Sequence, residues 1–366
     1  MVSQTVASNL SGLIYTAEKE KIVSVTEKSG TTTSTAKNET RRILFIRESI
    51  KNTEISDETI NIINASWRDS TKQQYRNYHQ KWLQFCSKKQ INPFKANINN
   101  VLSFLTDLFK SGLGYSSINT ARCALSSYFS LDNCVNISSN VLVKRFMKGV
   151  YTLRPALPRY NVTWVVNVVL KYLKGLSPLE SLSLLQISQK LLMLLLLLSG
   201  QRGQTIHLMD IKNIFITEDN VKIVIGDLLK NSKPGKQLGE LNFPAFTDKD
   251  LCIVNMLIFY LEKTKTLRGN ITQLFITTQK PYKAVTRDTI CRWTRTVLIK
   301  SGIDVNIFKP HSTRAASTIA ANVRNVPMST ILKTAGWKKD CMFRKFYKKP
   351  IVMDKSYSEN LLNAFA

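Results

Sequence analysis

The strongest constraint on the fold is a run of apolar residues, Leu191–Leu198, near the middle of the chain. A helix needs about 20 such residues to span a bilayer, so this run is too short and predicts a helix buried in a protein core. The helical pattern extends back to about Leu182, and a Ser-Gly pair ends it just before Arg202. A compact domain must therefore surround this helix, which makes a rigid platform for Arg202.

Residues that precede this domain show a second kind of helical pattern, with apolar side chains every three or four positions. Four amphipathic helices are predicted between Trp67 and Lys148, and residues 59–150 are expected to form an all-helical domain. Their predicted N-terminal caps are Ser70, Asn97 or Asn99, Ser116 or Ser117, and Ser138 or Ser139. Residues 151–160 contain two prolines and two arginines, which is typical of a linker. Residues 1–58 are polar and lack periodicity, which predicts a disordered tail.

Residues 161–349 are expected to form the second domain, followed by a tail at 350–366. Between Ile211 and Phe243 the pattern changes to that of strands. Three short runs rich in β-branched and aromatic residues, IKNIFIT, VKIVIG and LGELNFP, predict a small antiparallel sheet. QLFITT, which begins at Gln273, is a further strand candidate. Two helices are predicted before the sheet, at about Thr163–Leu173 and Leu182–Leu198. Two follow it: one is capped by Asp248 or Asp250 and ends near Lys263, and the other runs from Thr286 to Lys300. Three short helices are predicted to begin near His311, Ser329 and Asp340. The predicted fold class is mainly α with a small antiparallel sheet (α+β).

The formal net charge of +27 is confined to residues 61–366, because residues 1–60 contain eight basic and eight acidic side chains. No acidic residue occurs from Asn133 to Leu179, where seven basic residues lie. Such an excess of positive charge favours a polyanionic partner, since each neutralised phosphate releases counterions. Double-stranded DNA is the predicted partner, ahead of a generic basic surface or a membrane. The candidate DNA-binding residues are Lys144, Arg145, Lys148, Arg154 and Arg159.

Several classes of site are not expected. The six cysteines are scattered and the chain has only three histidines, so no zinc module, disulfide framework or other metal site is predicted. No GxSxG, HExxH or phosphate-binding glycine loop of the right spacing occurs, and no nucleotide cofactor is predicted. Chemistry on phosphate would therefore depend on cations of the protein itself.

The candidate catalytic residues are side chains that can bind and attack a phosphodiester. Two arginines, Arg202 and Arg314, could grip a phosphate and stabilise the charge of its transition state. His311 lies three residues before Arg314 and could accept a proton, and a phenol beside two arginines, Tyr347, could act as nucleophile. Alone, each has an ordinary structural explanation that is at least as good: a turn arginine, a capping histidine or a core tyrosine.

Two further candidates complete the set. The indole N–H of Trp337, which follows Gly336, could donate to a phosphate oxygen. Lys230 lies in a turn-forming segment, DLLKNSKPGK, from which it could protonate a leaving 5′-oxygen, and Lys233 and Lys236 compete for this role. A solvated loop lysine remains the alternative for all three.

The chain resembles the tyrosine recombinases, the phage-integrase-like family. The resemblance lies in the order of the candidate residues along the chain: an arginine, a lysine on a β-turn, His-x-x-Arg, Gly-Trp and a tyrosine. The resemblance covers about residues 60–349. The stretches ASWRDSTKQQYRNYHQKWLQFC, SGQRGQT, HSTRAAS and LKTAGWKKDCMFRKFYKK resemble most the recombinases of DIRS-type retrotransposons and related eukaryotic mobile elements. The resemblance implies a helical core-binding domain and a catalytic domain that together clamp DNA, and a homotetramer as the active assembly.

By this resemblance, Arg202, Lys230, His311, Arg314 and Trp337 form the site and Tyr347 is the nucleophile, which forms a 3′-phosphotyrosyl bond without metal or cofactor. Three departures from the family pattern stand out. The family often has an acidic residue where this chain has Thr205, and often a histidine where it has Trp337. The spacing from Trp337 to Tyr347 is also about one residue longer than in many members.

Two other functions remain open at this point. A topoisomerase of type IB could use the same residues to relax supercoiled DNA, and a catalytically silent DNA-binding protein derived from a mobile element would keep only the basic surface. The start of the chain lacks a secretory signal pattern and a lipidation motif, so a nuclear location away from membranes is expected.

Overall fold

The structure is a computed structural model that describes residues 56–129, 136–155, 160–229, 232, 234–235, 239–337, 339–347 and 349–351. The chain divides into two compact units, Met1–Leu157 and Pro158–Ala366. Each unit has its own hydrophobic core. None of the helices in the described ranges has the length and apolar character needed to cross a membrane.

The described part of the first unit is entirely helical. Its helices are α1 (Asp57–Ala65), α2 (Asp69–Lys89), α3 (Ile98–Lys110), α4 (Tyr115–Phe129) and α5 (Val141–Leu153). Trp82, which is fully buried, is the centre of the core and packs edge-on against the rings of Phe104 and Phe129. The apolar face predicted for α2 therefore organises this unit.

Only one of the four caps predicted for these helices is correct. Asn97 forms a reciprocal capping box with Asn100 at the start of α3. Ser70 and Ser116 lie inside α2 and α4, one residue beyond the first helical position. For α5 the cap is Asn140, whose side chain accepts from two backbone N–H groups, and not Ser138 or Ser139. A nearby amide that satisfies two orphan donors outcompetes a more distant hydroxyl.

Two boundaries of the first unit also differ from the prediction. α1 begins at Asp57, within the predicted tail, with Ser56 as its cap. α5 continues to Leu153, three residues into the predicted linker. Asp57 and Glu58 are exposed, as are Tyr151 and Leu153, so neither extension adds to the buried face through which hydrophobic periodicity indicates a helix.

The second unit combines helices with a small sheet. Its helices are α6 (Val166–Lys174), α7 (Leu184–Ser199), α8 (Gly203–His207), α9 (Ile253–Thr264), α10 (Arg287–Lys300), α11 (Ser312–Val323), α12 (Met328–Ala335) and α13 (Asp340–Phe346). The strands are β1 (Ile214–Ile216), β2 (Asn220–Ile223) and β3 (Leu241–Pro244), and they form an antiparallel sheet in the order β1-β2-β3. The mainly α fold with a small antiparallel sheet is confirmed.

The apolar run at the centre of the chain is confirmed as a core helix. α7 begins with a capping box between Ser183 and Gln186 and is buried along almost its whole length. It ends at Gly200, whose φ of 57° is the left-handed conformation that a residue without Cβ adopts most easily. α9, α10 and α11 all pack against α7, so this helix fixes the place of the chain that follows it.

Two predictions in the second unit are wrong. The QLFITT segment is not a strand, because Ile276 and Gln273 form only isolated bridges. Neither Asp248 nor Asp250 caps α9, which starts after Cys252. The Asp248 carboxylate instead forms an ion pair with Lys174 at 2.8 Å.

The three last helices form a small cluster of their own with Trp337 and Phe343 in its core. Residues 349–351 also belong to the fold, although the last two lie in the predicted C-terminal tail. The backbone N–H of Thr163 donates to the carbonyl of Pro350 at 2.8 Å, and Thr163 forms a parallel bridge with Ile351. The Lys349 ammonium lies 3.8 Å from the centre of the Tyr160 ring and donates to the Tyr160 carbonyl.

Candidate active site

Arg202 lies at the N-cap position of α8, immediately after the left-handed turn that ends α7. Its side chain is half-buried. α8 was not predicted, because five residues are too few for a helical period to emerge. Arg202 therefore lies between the end of α7 and the start of α8, and the buried helix α7 supports its backbone as the sequence predicted.

His311 is the N-cap residue of α11 and is exposed. The next residue, Ser312, is fully buried, and its hydroxyl accepts a hydrogen bond from the indole of Trp164 at 2.9 Å. This buried contact fixes the first turn of α11, and with it the backbone from which His311 projects.

Arg314 is completely buried one turn further along α11. Its Nη1 donates to the carbonyl of Gly200 at 2.8 Å and its Nη2 to that of Ala335 at 2.7 Å. Both acceptors lie at the C-terminal ends of helices, α7 and α12, where a cation is favoured. Its Nε–H has no hydrogen-bond partner among the residues that the structure describes.

The electrostatic environment of Arg314 is unusual for an arginine. Burial and, to a lesser extent, the nearby charge of Arg202 lower the pKa of its guanidinium to about 10, and Tyr347 partly offsets both effects. At neutral pH the group still carries its charge. None of the ion pairs formed within the described ranges involves Arg202 or Arg314, so neither charge is neutralised by a carboxylate in an ion pair there. An anion bound between them would relieve this repulsion.

Trp337 and Tyr347 cover the Arg314 guanidinium. The central carbon of the guanidinium lies 4.3 Å from the centre of the Trp337 ring and 5.6 Å from that of Tyr347. The two aromatic rings are 4.6 Å apart, and the Tyr347 hydroxyl is 3.4 Å from Nε2 of His311. The longer spacing from Trp337 to Tyr347 therefore does not keep the tyrosine away from the other candidates.

The structure thus brings His311, Arg314, Trp337 and Tyr347 together, with Arg202 beside them. They come from the start of α11, the turn after α12 and the end of α13. Lys230, Lys233 and Lys236 lie outside the described residues. The described ranges contain no cluster of three or more histidine, cysteine or carboxylate side chains that could hold a metal ion.

The predicted DNA-binding residues fall into three groups. Lys144, Arg145 and Lys148 are exposed along one side of α5. Arg154 is engaged within its own unit: its Nη1 donates to the carbonyls of Phe109 and Leu113, and its guanidinium lies over the Phe109 ring at 4.2 Å. Arg159 lies outside the described residues.

Sequence reasoning overlooked Gln201, a buried side chain beside Arg202. Its amide nitrogen donates to the carbonyl of Thr334 at 2.5 Å, and its amide oxygen accepts from the Thr205 hydroxyl at 3.1 Å. One feature of the sequence could have indicated this residue: Gln201 is a large polar side chain between Gly200, which ends an apolar helix, and the candidate catalytic Arg202.

The fold is shared with solved site-specific recombinases and integrases. XerH recombinase bound to its difH substrate before cleavage matches with a TM-score of 0.55 and 15% identity, over 88% of this chain and 96% of that chain. XerH on a palindromic difH substrate after cleavage matches with 0.53 and 14%, over 84% and 91%. The Tn1549 transposon integrase in complex with transposon right end DNA matches with 0.53 and 12%, over 88% and 98%. No protein-family model and no curated protein matches the sequence significantly.

Proposed function

We propose that the chain is a DNA strand transferase, a recombinase or integrase that cleaves and rejoins DNA through Tyr347. One observation carries the proposal: the Tyr347 hydroxyl lies within 3.4 Å of His311, and the Tyr347 ring packs against Trp337 and Arg314. The shared fold supports the same class, since the recombinases and integrases above were solved on DNA.

The chemistry begins with attack of the Tyr347 oxygen on a backbone phosphorus. The phenol proton passes to Nε2 of His311, the P–O5′ bond breaks, and a 3′-phosphotyrosyl bond and a free 5′-hydroxyl result. Arg202 and Arg314 stabilise the charge on the phosphate in the transition state. A 5′-hydroxyl from another strand then reverses the step. The phosphotyrosyl bond retains the energy of the phosphodiester, so rejoining needs no nucleotide.

Arg314 is covered by aromatic rings, which adds a requirement to this step. A phosphate can reach the guanidinium only if the Tyr347 ring or the Trp337 ring moves aside, because the group has no exposed surface. The unpaired Nε–H then gains an acceptor, which compensates for the displaced packing. Lys230 is our choice for the group that protonates the leaving oxygen, with Lys233 and Lys236 as the alternatives.

We further propose double-stranded DNA as the partner, contacted by the exposed cations of α5, and a homotetramer as the active assembly on two sites. A mobile element of the DIRS-type group is the proposed genetic context and the nucleus the proposed location. These proposals rest on the excess of basic residues and on the motif resemblance.

The test is covalent capture on nicked suicide duplexes that carry candidate terminal repeats. We expect an SDS-stable protein–DNA adduct with the wild-type chain and none with Tyr347→Phe, while both bind DNA equally. Retained binding without an adduct on any substrate would contradict the enzyme and favour a silent DNA-binding protein. An adduct on arbitrary supercoiled DNA, together with relaxation, would favour a topoisomerase.

A further inference from the structure

We infer that Gln201 is a positioning residue that holds the Arg202 turn against the Trp337 turn, an inference that rests on the proposed function. Its side chain is 3% exposed. It donates to the Thr334 carbonyl and accepts from the Thr205 hydroxyl, so both ends of the amide are used. Its backbone N–H donates to the Ser199 hydroxyl, which ties the same residue to the end of α7.

The partners of Gln201 lie beside the candidate catalytic residues. Thr205 is in α8, which starts directly after Arg202, and Thr334 is in the last turn of α12, three residues before Trp337. One amide therefore joins the segment that carries the first arginine to the segment that carries the tryptophan. Displacement of reacting groups by about 1 Å can reduce a rate by about 10²-fold, so loss of the Gln201 contacts should slow the proposed cleavage step.

A second bridge runs parallel to this one, but it involves the substrate-binding group. Arg314 joins Gly200 to Ala335, the neighbours of Gln201 and Thr334. These two hydrogen bonds belong to the same guanidinium that must also bind the phosphate. The Gln201 bridge does not depend on Arg314, so it keeps the two turns together during the reaction.

Gln201 and Thr205 are both uncharged, and the side chain at position 205 is a hydroxyl. A carboxylate there would partly neutralise Arg202, whereas the Gln201–Thr205 pair is neutral. The pair therefore supplies the positioning and leaves the charge of Arg202 available for the phosphate.

The principal test is single-turnover adduct formation by Gln201→Leu on the suicide duplex at saturating protein. Gln189→Leu is the matched control, because Gln189 is also 3% exposed but lies within α7, about 15 Å of helix before its end at Ser199. We expect the adduct rate of Gln201→Leu to fall between about 10- and 100-fold with unchanged DNA affinity. The control should keep its rate. An unchanged rate for Gln201→Leu, or an equal loss in both variants, would overturn the inference.

A pH profile of Gln201→Glu distinguishes positioning from simple packing, and it serves if Gln201→Leu fails to fold. A protonated carboxyl can donate to the Thr334 carbonyl and accept from Thr205, as the amide does, whereas the ionised form has no donor. The adduct rate of Gln201→Glu relative to wild type should therefore rise as pH falls through the titration of the new carboxyl. A ratio that does not change with pH counts against the role.

A spectroscopic readout keeps the inference testable if the wild-type chain forms no adduct. The indole N–H resonance of Trp337, assigned by its loss in Trp337→Phe, should shift in Gln201→Leu and stay in place in Gln189→Leu. A selective shift without any adduct would mean that the positioning contact exists and the proposed function is wrong. A resonance that both variants leave unchanged would overturn the inference itself.

Discussion

Arg314 has two tasks that a sequence cannot separate. As a candidate catalytic arginine it should face the phosphate, yet in the structure it ends two helices by donating to the carbonyls of Gly200 and Ala335. His311 is exposed and Tyr347 is half-buried at the end of its helix. Loss of the Arg314 guanidinium should therefore affect folding as well as chemistry.

Arg314→Leu should destabilise the fold as well as abolish cleavage. It leaves two buried carbonyls without donors, and each such loss costs about 1–3 kcal/mol, so we expect the free energy of unfolding to fall by about 2–6 kcal/mol. Urea unfolding followed by circular dichroism measures this. Arg202→Leu is the control and should cost less than about 1 kcal/mol, because that side chain is partly exposed. Equal losses in the two variants would contradict the structural role of Arg314.

Elements with a sustained hydrophobic period were predictable and short ones were not. Burial on one face or on all faces leaves a pattern in the sequence, and this pattern predicted the 16-residue α7 and the three strands. The Thr286 cap of α10 was also predicted. α8, with five residues, left no such pattern, and the QLFITT segment has strand-like composition without a partner strand. The order of the candidate site residues along the chain could be read from the sequence. The burial of Arg314 and the Gln201 bridge could not, because they depend on contacts between residues more than 100 positions apart.

The end of α12 is the element where geometry depends most on one glycine. Gly336 has a φ of 69°, and a side chain there costs about 1 kcal/mol. Gly336→Ala should lower the free energy of unfolding by that amount and slow adduct formation, since Trp337 follows directly. Gly175→Ala provides the control: its φ is −65° and an added Cβ would lie 3.5 Å from its nearest neighbour, an ordinary contact. If both alanine variants behave alike, the left-handed turn does not position Trp337.

On the scale of the whole molecule, the dominant property is positive charge without matching acids. The excess is confined to residues 61–366, which contain 44 basic and 17 acidic side chains. A surface of this kind binds DNA mainly by releasing counterions, so its affinity depends strongly on salt and little on sequence. Side chains that are exposed contribute to this property, and those that are used in packing do not.

Lys148→Ala should therefore reduce the slope of log affinity against log salt by about 1, because one phosphate contact is lost. Fluorescence anisotropy of a labelled duplex between low and moderate salt gives the slope. Arg154→Met removes the same charge but from a side chain that holds Phe109 and Leu113, so it should lower stability and leave the slope almost unchanged. A change of slope in Arg154→Met alone would reverse our assignment of the two residues.

The double use of Arg314 has an evolutionary consequence. A descendant of this chain that had lost cleavage would still need the guanidinium to end two helices, so selection for folding alone would retain it. In the proposed function the Tyr347 hydroxyl is the nucleophile, and it does not end a helix, so it would drift once cleavage was lost. Among relatives of this chain, survival of Arg314 therefore reports a stable fold, whereas survival of Tyr347 would report retained cleavage.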